Sequence, residues 1–191
     1  MPTQTIRPEG VVAIGQFGPA AAGEFDSVIQ AALNLSDEDT DTKVVNQNTN
    51  QSIQLAMEDL TDDSIDEITQ LQVTVGVHTG GKGNSAFSVL LQKSNGDNIA
   101  AAEALAASTN TASNEVTGTA ITGLSLSQAD VDGMTATLTT DASTQSFFTE
   151  LLIVCTYDRV VASTDTAIVG DTGKIIINLG RVEIQNGKVE L

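Results

Sequence analysis

The chain has 191 residues, of which 40% are apolar and only 3% aromatic, with no Trp, one Tyr and one Cys. This length suits one domain with an appendage or two small domains, and it can bury a core that must be aliphatic. The net charge of −17, from 25 acidic and 8 basic residues, argues against nucleic acid and against anionic membranes, because both are held mainly through Lys and Arg.

The N-terminal stretch MPTQTIRPEG contains no apolar run of the signal-peptide kind, and no window reaches the roughly 18 apolar residues of a membrane helix. The expectation is a protein made and used without crossing a membrane by the standard secretory route. Residues 1–24 are expected to be an extended N-terminal segment. Beyond them, short β-branched runs alternate with Gly, Asn, Asp and Ser, the pattern of an all-β fold. Residues 25–159 are read as an antiparallel β-sandwich, jelly-roll-like, with a short C-terminal β-arm at 160–191.

Candidate strands are residues 10–16, 42–46, 52–57, 68–78, 87–93, 115–121, 134–140 and 147–157. In QLQVTVGVH, Leu71, Val73, Val75 and Val77 alternate with Gln72, Thr74, Gly76 and His78, which turns one face inward. MTATLTTD repeats this with Met134, Ala136 and Leu138 inward. GEFDSVIQAALNL places Phe25, Val28, Ile29, Ala32 and Leu33 at helical spacing, and SQADVDG reads as one capped turn ended by Gly133. AAAEALAAS (100–108) favours helix by propensity but lies between turn signals, so helix and irregular strand both stay open.

From Val160 the short runs KIIIN, RVEI and KVEL alternate with Gly turns. A β-arm of this size holds no core of its own and must pack on the main domain or on a neighbouring subunit.

Several stretches suggest chemistry. GVHTGGKGN sets Gly76, Gly81 and Lys82 as in a phosphate loop, but Gly83 follows the Lys where Ser or Thr would hold magnesium. The next residues read as a strand, where a phosphate loop needs a helix, so the stretch is expected to be a hairpin turn between strands 68–78 and 87–93. Asp37, Asp39 and Asp41 have the D-x-D-x-D opening of a calcium loop, yet Thr42 and Asn48 stand where Gly and Glu are required. They remain calcium candidates only if ligands come from elsewhere; otherwise they are a solvated acidic loop. Glu58, Asp59, Asp62, Asp63, Asp66 and Glu67 could do acid–base work on a glycoside, against which stands their reading as a charged solvated loop. His78 is the only histidine, which disfavours zinc. Cys155, inside LLIVCTY, is expected to be a buried, inert thiol. No catalytic residue and no cofactor is assigned.

The order of features resembles a known group. An acidic loop precedes an apolar strand (LSDEDTDTKVV, then SIQLAME). A long alternating strand follows (DEITQLQVTVGVHTGG), then SAFSVLLQKSNGD, TGLSLSQADVDGMTATLTT and a final strand ending TELLIVCTYD. Over residues 25–158 this resembles β-sandwich modules of tailed-bacteriophage virion structural proteins, including head decoration or cement proteins. The chain departs from that pattern in lacking aromatics near the acidic loop and before the last strand.

The resemblance implies a non-enzymatic protein on the capsid exterior, made in the host cytoplasm, with the major capsid protein of the same virion as partner. It implies a homo-oligomer, a trimer under closed cyclic symmetry. The assembly residues expected on the arm are Ile175, Ile176, Ile177, Leu179, Arg181, Val182, Ile184, Lys188, Val189 and Leu191. The alternatives are a carbohydrate- or receptor-binding sandwich, with the acidic loops holding calcium, another head or tail component, and a carboxylate hydrolase.

Overall fold

The structure is a computed structural model that describes residues 1–15, 17–19, 35, 44–46, 51–79, 85–107, 113–140, 146–160, 166–170, 173–177, 183–185 and 188–190. The chain divides into a unit of residues 1–159 and a second unit of residues 160–191.

In the first unit the strands are β1 (Thr3–Ile6), β2 (Pro8–Ile14), β3 (Phe17–Pro19), β4 (Val44–Asn46), β5 (Ser52–Met57), β6 (Ile65–His78) and β7 (Ser85–Gln92). They continue as β8 (Glu103–Ala107), β9 (Asn114–Thr117) and β10 (Ile121–Leu126), then a single helical turn α1 (Gln128–Val131), then β11 (Thr135–Thr140) and β12 (Phe147–Arg159). The second unit holds β13 (Thr166–Gly170), β14 (Gly173–Ile177), β15 (Glu183–Gln185) and β16 (Lys188–Glu190).

The first unit is a two-layer antiparallel sandwich, as its period-two patterning predicts. One sheet runs β10-β6-β12-β4-β3, with β1 also on β12 and β9 also on β6; the other runs β2-β5-β11-β7-β8. The inward residues are those picked out by alternation: Leu71, Val73, Val75 and Val77 on β6, and Ala136 and Leu138 on β11, are all buried. Phe87 of β7 and Phe148 of β12, one from each layer, meet edge-on with ring centroids 5.4 Å apart. With Tyr157 they supply the aromatic volume of a mainly aliphatic core. Residues 3–14 are not merely extended: β1 pairs with β12 in one sheet and β2 with β5 in the other.

Two expectations change and one left open is decided. The hairpin between β6 and β7 does not form, since the two strands lie in different sheets. Their link carries the chain across the sandwich. Alternation cannot tell this from a hairpin, because both arrangements turn the same residues inward. The single strand expected at 115–121 is two strands, β9 and β10, divided at Gly118. A Cβ there would collide with the Glu103 carboxylate, which accepts from the Thr119 amide. The 100–108 segment becomes strand β8, paired with β7 from Ser85↔Ala107 to Val89↔Glu103. The sheet's backbone hydrogen bonds override the helix propensity of its alanines.

The turn at SQADVDG forms as expected. Ser127 is the N-cap and Asp130 completes a reciprocal capping box. The helix expected from GEFDSVIQAALNL lies outside the described residues apart from Leu35, which is buried.

Candidate functional site

Two surfaces of the sandwich carry chemistry. The first is the outer face of the five-stranded sheet. Register aligns Ala56, Thr135 and Gln92 in one row, Gln54, Thr137 and Leu90 in the next, and Ser52, Thr139 and Ser88 in a third, extended by Ala104 of β8. Each of these is half-buried or exposed, and on β5, β7 and β11 its neighbours within the strand are buried. None is charged. The rows span roughly 14 Å in each direction by strand geometry.

The amides on this face orient one another. Gln54 Nε2 donates to Gln92 Oε1 at 3.3 Å and to Thr135 Oγ1 at 3.2 Å. Gln92 Nε2 donates to Asn98 Oδ1 at 3.1 Å and to the Gly96 carbonyl at 3.0 Å. The result is a flat, neutral platform with fixed donors and acceptors.

The second surface is an acidic end built from the β5–β6 and β10–β11 connections and the end of β12. Of the six carboxylates expected to be a solvated loop or an acid–base pair there, Glu58, Asp59 and Asp62 help to hold the connections together, as does Asp132. Glu58 Oε2 accepts from the Arg7 amide at 3.0 Å, Asp59 Oδ1 from the Gly133 amide at 2.9 Å, and Asp132 Oδ1 from the Leu60 amide at 2.9 Å.

Asp62 is the most heavily used. It accepts from the Ser64 amide and hydroxyl, from Tyr157 Oη at 2.7 Å, and from Arg159 Nε at 3.0 Å and Nη2 at 2.8 Å. The Ser64 hydroxyl first, then Tyr157, hold its carboxyl well below the usual range. The same contacts raise Tyr157 and Arg159.

Beside this cluster an open cleft of ≈ 460 Å³ is lined by Asp66, Glu67, Ser125, Leu126, Ser127 and Asp130. Asp130 is already spoken for, by Ser127 and by Lys93 at 3.3 Å. Its carboxyl is lowered chiefly by the Ser127 hydroxyl. Among the described residues, no group of three or more His, Cys, Asp or Glu side chains is arranged to hold a metal.

The other sequence candidates are resolved in part. Gly76 lies within β6, opposite Glu115 and Glu150. A Cβ there would sit 2.6 Å from Thr149 Oγ1, so this glycine permits close strand packing. Residues 80–84, with Gly81 and Lys82, lie outside the described residues. The strand β7 that follows them offers no helix N-terminus to a phosphate. Asp37, Asp39 and Asp41 lie outside the described residues as well.

His78 stacks on Phe147, rings 4.6 Å apart and nearly parallel. Cys155 is fully buried, and burial pushes its thiol up to about 12. His78 pairs with Phe147 in the ladder, eight positions along β12 from Cys155, so the two stand about 26 Å apart by strand rise and form no pair.

The neutral platform is what sequence reading misses. Its signal was present as Ser, Thr and Gln at alternate positions of three strands. It becomes a surface only once β5, β11 and β7 are known to be neighbours.

No protein-family model and no curated protein matches the chain. Among solved structures it is similar to a CBM35 from Cellvibrio japonicus Abf62 at 14% identity and TM-score 0.47, covering 82% of this chain and 95% of that one. It is similar to a Xyl-CBM35 in complex with a glucuronic acid-containing disaccharide at 12% identity and TM-score 0.47, covering 80% and 94%. A carbohydrate-binding module from Cellvibrio mixtus lichenase 5A, in complex with cellotriose, gives 8% identity and TM-score 0.45, covering 81% and 98%. Likeness at this level carries neither family nor function to this chain, and none of these matches is a virion protein.

Proposed function

We propose that this chain is a non-catalytic binding module that takes a neutral carbohydrate on the outer face of its five-stranded sheet. The observation that carries the reading is the uncharged platform itself. On a chain with a net charge of −17, the Gln54, Thr137 and Leu90 row and its neighbours hold no charge and keep their amides fixed by Gln54–Gln92–Asn98 hydrogen bonds. Sugar hydroxyls both donate and accept, and oriented amides and hydroxyls match them. With no aromatic ring in these rows, affinity rests on hydrogen bonds and is modest.

The acidic end is a weaker site for this ligand. Its carboxylates mostly serve backbone amides and the Asp62 cluster, and its field repels uronic acids.

The virion decoration reading draws no support from the comparisons.

The test is titration of the isotope-labelled chain with cellotriose and with a glucuronic acid-containing disaccharide, two ligands named for the similar structures. Amide shifts confined to β5, β11 and β7 with cellotriose, weaker with the acidic sugar, are expected. Gln92→Ala is expected to weaken binding about fivefold, the worth of one hydrogen bond. Absence of shifts on that face for neutral sugars would sink the proposal.

A further inference from the structure

The turn that follows β7 holds one end of the platform in place. Gly96 offers its carbonyl and Asn98 its side-chain oxygen to Gln92 Nε2, at 3.0 and 3.1 Å. The backbone closes the turn: the Gly96 amide donates to the Lys93 carbonyl at 2.9 Å, and the Lys93 amide to the Asp97 carbonyl at 2.8 Å. Asn95 clamps it with its side chain. Asn95 Oδ1 accepts from the Asp97 amide, and Asn95 Nδ2 donates to Asp97 Oδ2, both at 2.9 Å.

Asn95 precedes a glycine, and residues 94–98 are all exposed. Without a Cβ, Gly96 leaves its nitrogen sterically open to the Asn95 Cγ. The Asp97 amide points at Asn95 Oδ1, the oxygen on which negative charge develops when Cγ is attacked. Lys93 holds the Gly96 amide, so attack waits on local opening, which an exposed turn undergoes far more often than the core.

We propose that Asn95 is a site of spontaneous deamidation, with water as co-reactant, and that its conversion frees Gln92 from its fixed orientation. The Gly96 nitrogen gives up its proton and bonds to Cγ. The Cγ–Nδ2 bond breaks, and Nδ2 leaves as ammonia with that proton. Water then opens the cyclic imide at either carbonyl, leaving an aspartyl or an isoaspartyl residue. The aspartyl product sets a second carboxylate where a donor faced Asp97 Oδ2; the isoaspartyl product lengthens the backbone of the turn by one carbon. Lys93 is already paired with Asp130 at 3.3 Å. Two carboxylates at hydrogen-bond distance repel, so the clamp opens and the Gly96 carbonyl and Asn98 leave Gln92.

The first test holds the full chain for weeks in mildly alkaline buffer and maps its peptides by mass spectrometry. A gain of one mass unit at Asn95, with isoaspartyl product present, is expected. Asn95→Gln, which would have to close a larger ring, is expected to abolish it. An unconverted Asn95, or conversion only at Asn186, the other Asn–Gly pair of the sequence, would overturn the proposal. Asn95→Asp supplies the charge directly, and the Gln92 side-chain amide resonances are expected to move. Asn95→Ser keeps an acceptor for the Asp97 amide, adds no charge and is expected to leave them in place. Unmoved Gln92 resonances in Asn95→Asp would overturn the link to the platform. The last readout rests on the carbohydrate reading: Asn95→Asp is expected to bind cellotriose about fivefold more weakly, as for the loss of one hydrogen bond. Equal affinity in the two chains would overturn that link as well. Failure of the native chain to bind cellotriose counts against the carbohydrate reading alone, since mass and resonance decide this one without a sugar.

Discussion

Tyr157 donates its hydroxyl to Asp62 at 2.7 Å, and the Arg159 guanidinium reaches the same carboxylate oxygen at 2.8 Å. One side chain of the β5–β6 connection thus holds the last residues of β12, at the edge of the sandwich unit. Tyr157 itself is buried and packs within the core, so the contact joins the interior to the acidic end. Tyr157→Phe keeps the ring and removes the hydroxyl. The expected loss is about 1 kcal/mol, or roughly 2–4 °C in Tm for a domain of this size, read by thermal denaturation at neutral pH.

The same cluster sets a pH dependence at both ends. The Asp62 carboxyl is held below its ordinary value, so its contribution is complete above about pH 4 and is lost as pH falls through the lowered value. The Tyr157 hydroxyl is raised, chiefly by its hydrogen bond to Asp62. Its contribution is complete below about pH 10 and is lost as pH rises through the raised value. Tm measured from acid to alkaline pH should show a plateau between these limits. Tyr157→Phe should flatten the alkaline fall. An unchanged alkaline limb in the variant would assign that loss of stability to other groups.

Gly76 tests whether GVHTGGKGN is read correctly as packing. An added methyl meets Thr149 Oγ1 at 2.6 Å, Glu150 Cβ at 3.1 Å and the Glu150 amide nitrogen at 3.3 Å. Thr149 is buried and its hydroxyl is hydrogen-bonded to Ser113, so it has little room to yield, and Gly76→Ala is expected to cost about 1–3 kcal/mol. Denaturant unfolding reads this directly. A neutral effect would mean that the β6–β12 pairing can shift at the bulge between Phe148 and Glu150.

The layers themselves were legible from the sequence. Alternation in QLQVTVGVH and MTATLTTD identified buried residues correctly because each strand turns one face to a single core. What was not legible is which strand lies beside which. β6 and β7 are consecutive and alternating, yet they belong to opposite sheets. Loop composition does not encode that choice. The platform of Gln54, Thr135 and Gln92 was hidden for the same reason, since its residues come from strands brought together by non-local pairing. The split at Gly118 depended on a contact with Glu103, fifteen residues away in sequence, which local pattern cannot show. The acidic cluster is easy to see and says little about its use: Asp59 reads in sequence as part of an acid–base candidate or a solvated loop, yet it accepts from the Gly133 amide.

Phe87 and Phe148 tie the two sheets in a core with few aromatic rings. Phe87 is fully buried, and its removal leaves a cavity that aliphatic neighbours fill only in part. Phe87→Ala is expected to cost about 3–5 kcal/mol. Phe87→Leu should cost distinctly less, because it keeps most of the volume and loses mainly the edge-to-face contact. Denaturant midpoints with unchanged m-values would attribute the difference to the native core.

Cys155 reports on the opening of that same core. Its thiol lies in the middle of β12, between β1 and β6 in the ladder, opposite Gln4 and Leu71. Burial raises it to about 12, so the reactive thiolate is scarce at pH 8 even where reagent could reach it. Labelling therefore requires the strand to open. If opening is global, the labelling rate in native buffer falls below that of the unfolded chain by about the unfolding equilibrium constant, a factor of about 10³ or more. The rate should also rise with denaturant along the slope set by global unfolding. A faster rate with a shallow denaturant dependence would show that β1 peels away from β12 while the rest of the sandwich stays folded. In that case truncating β1 should remove most of the protection, whereas under global opening it should accelerate labelling only as far as it destabilises the whole unit.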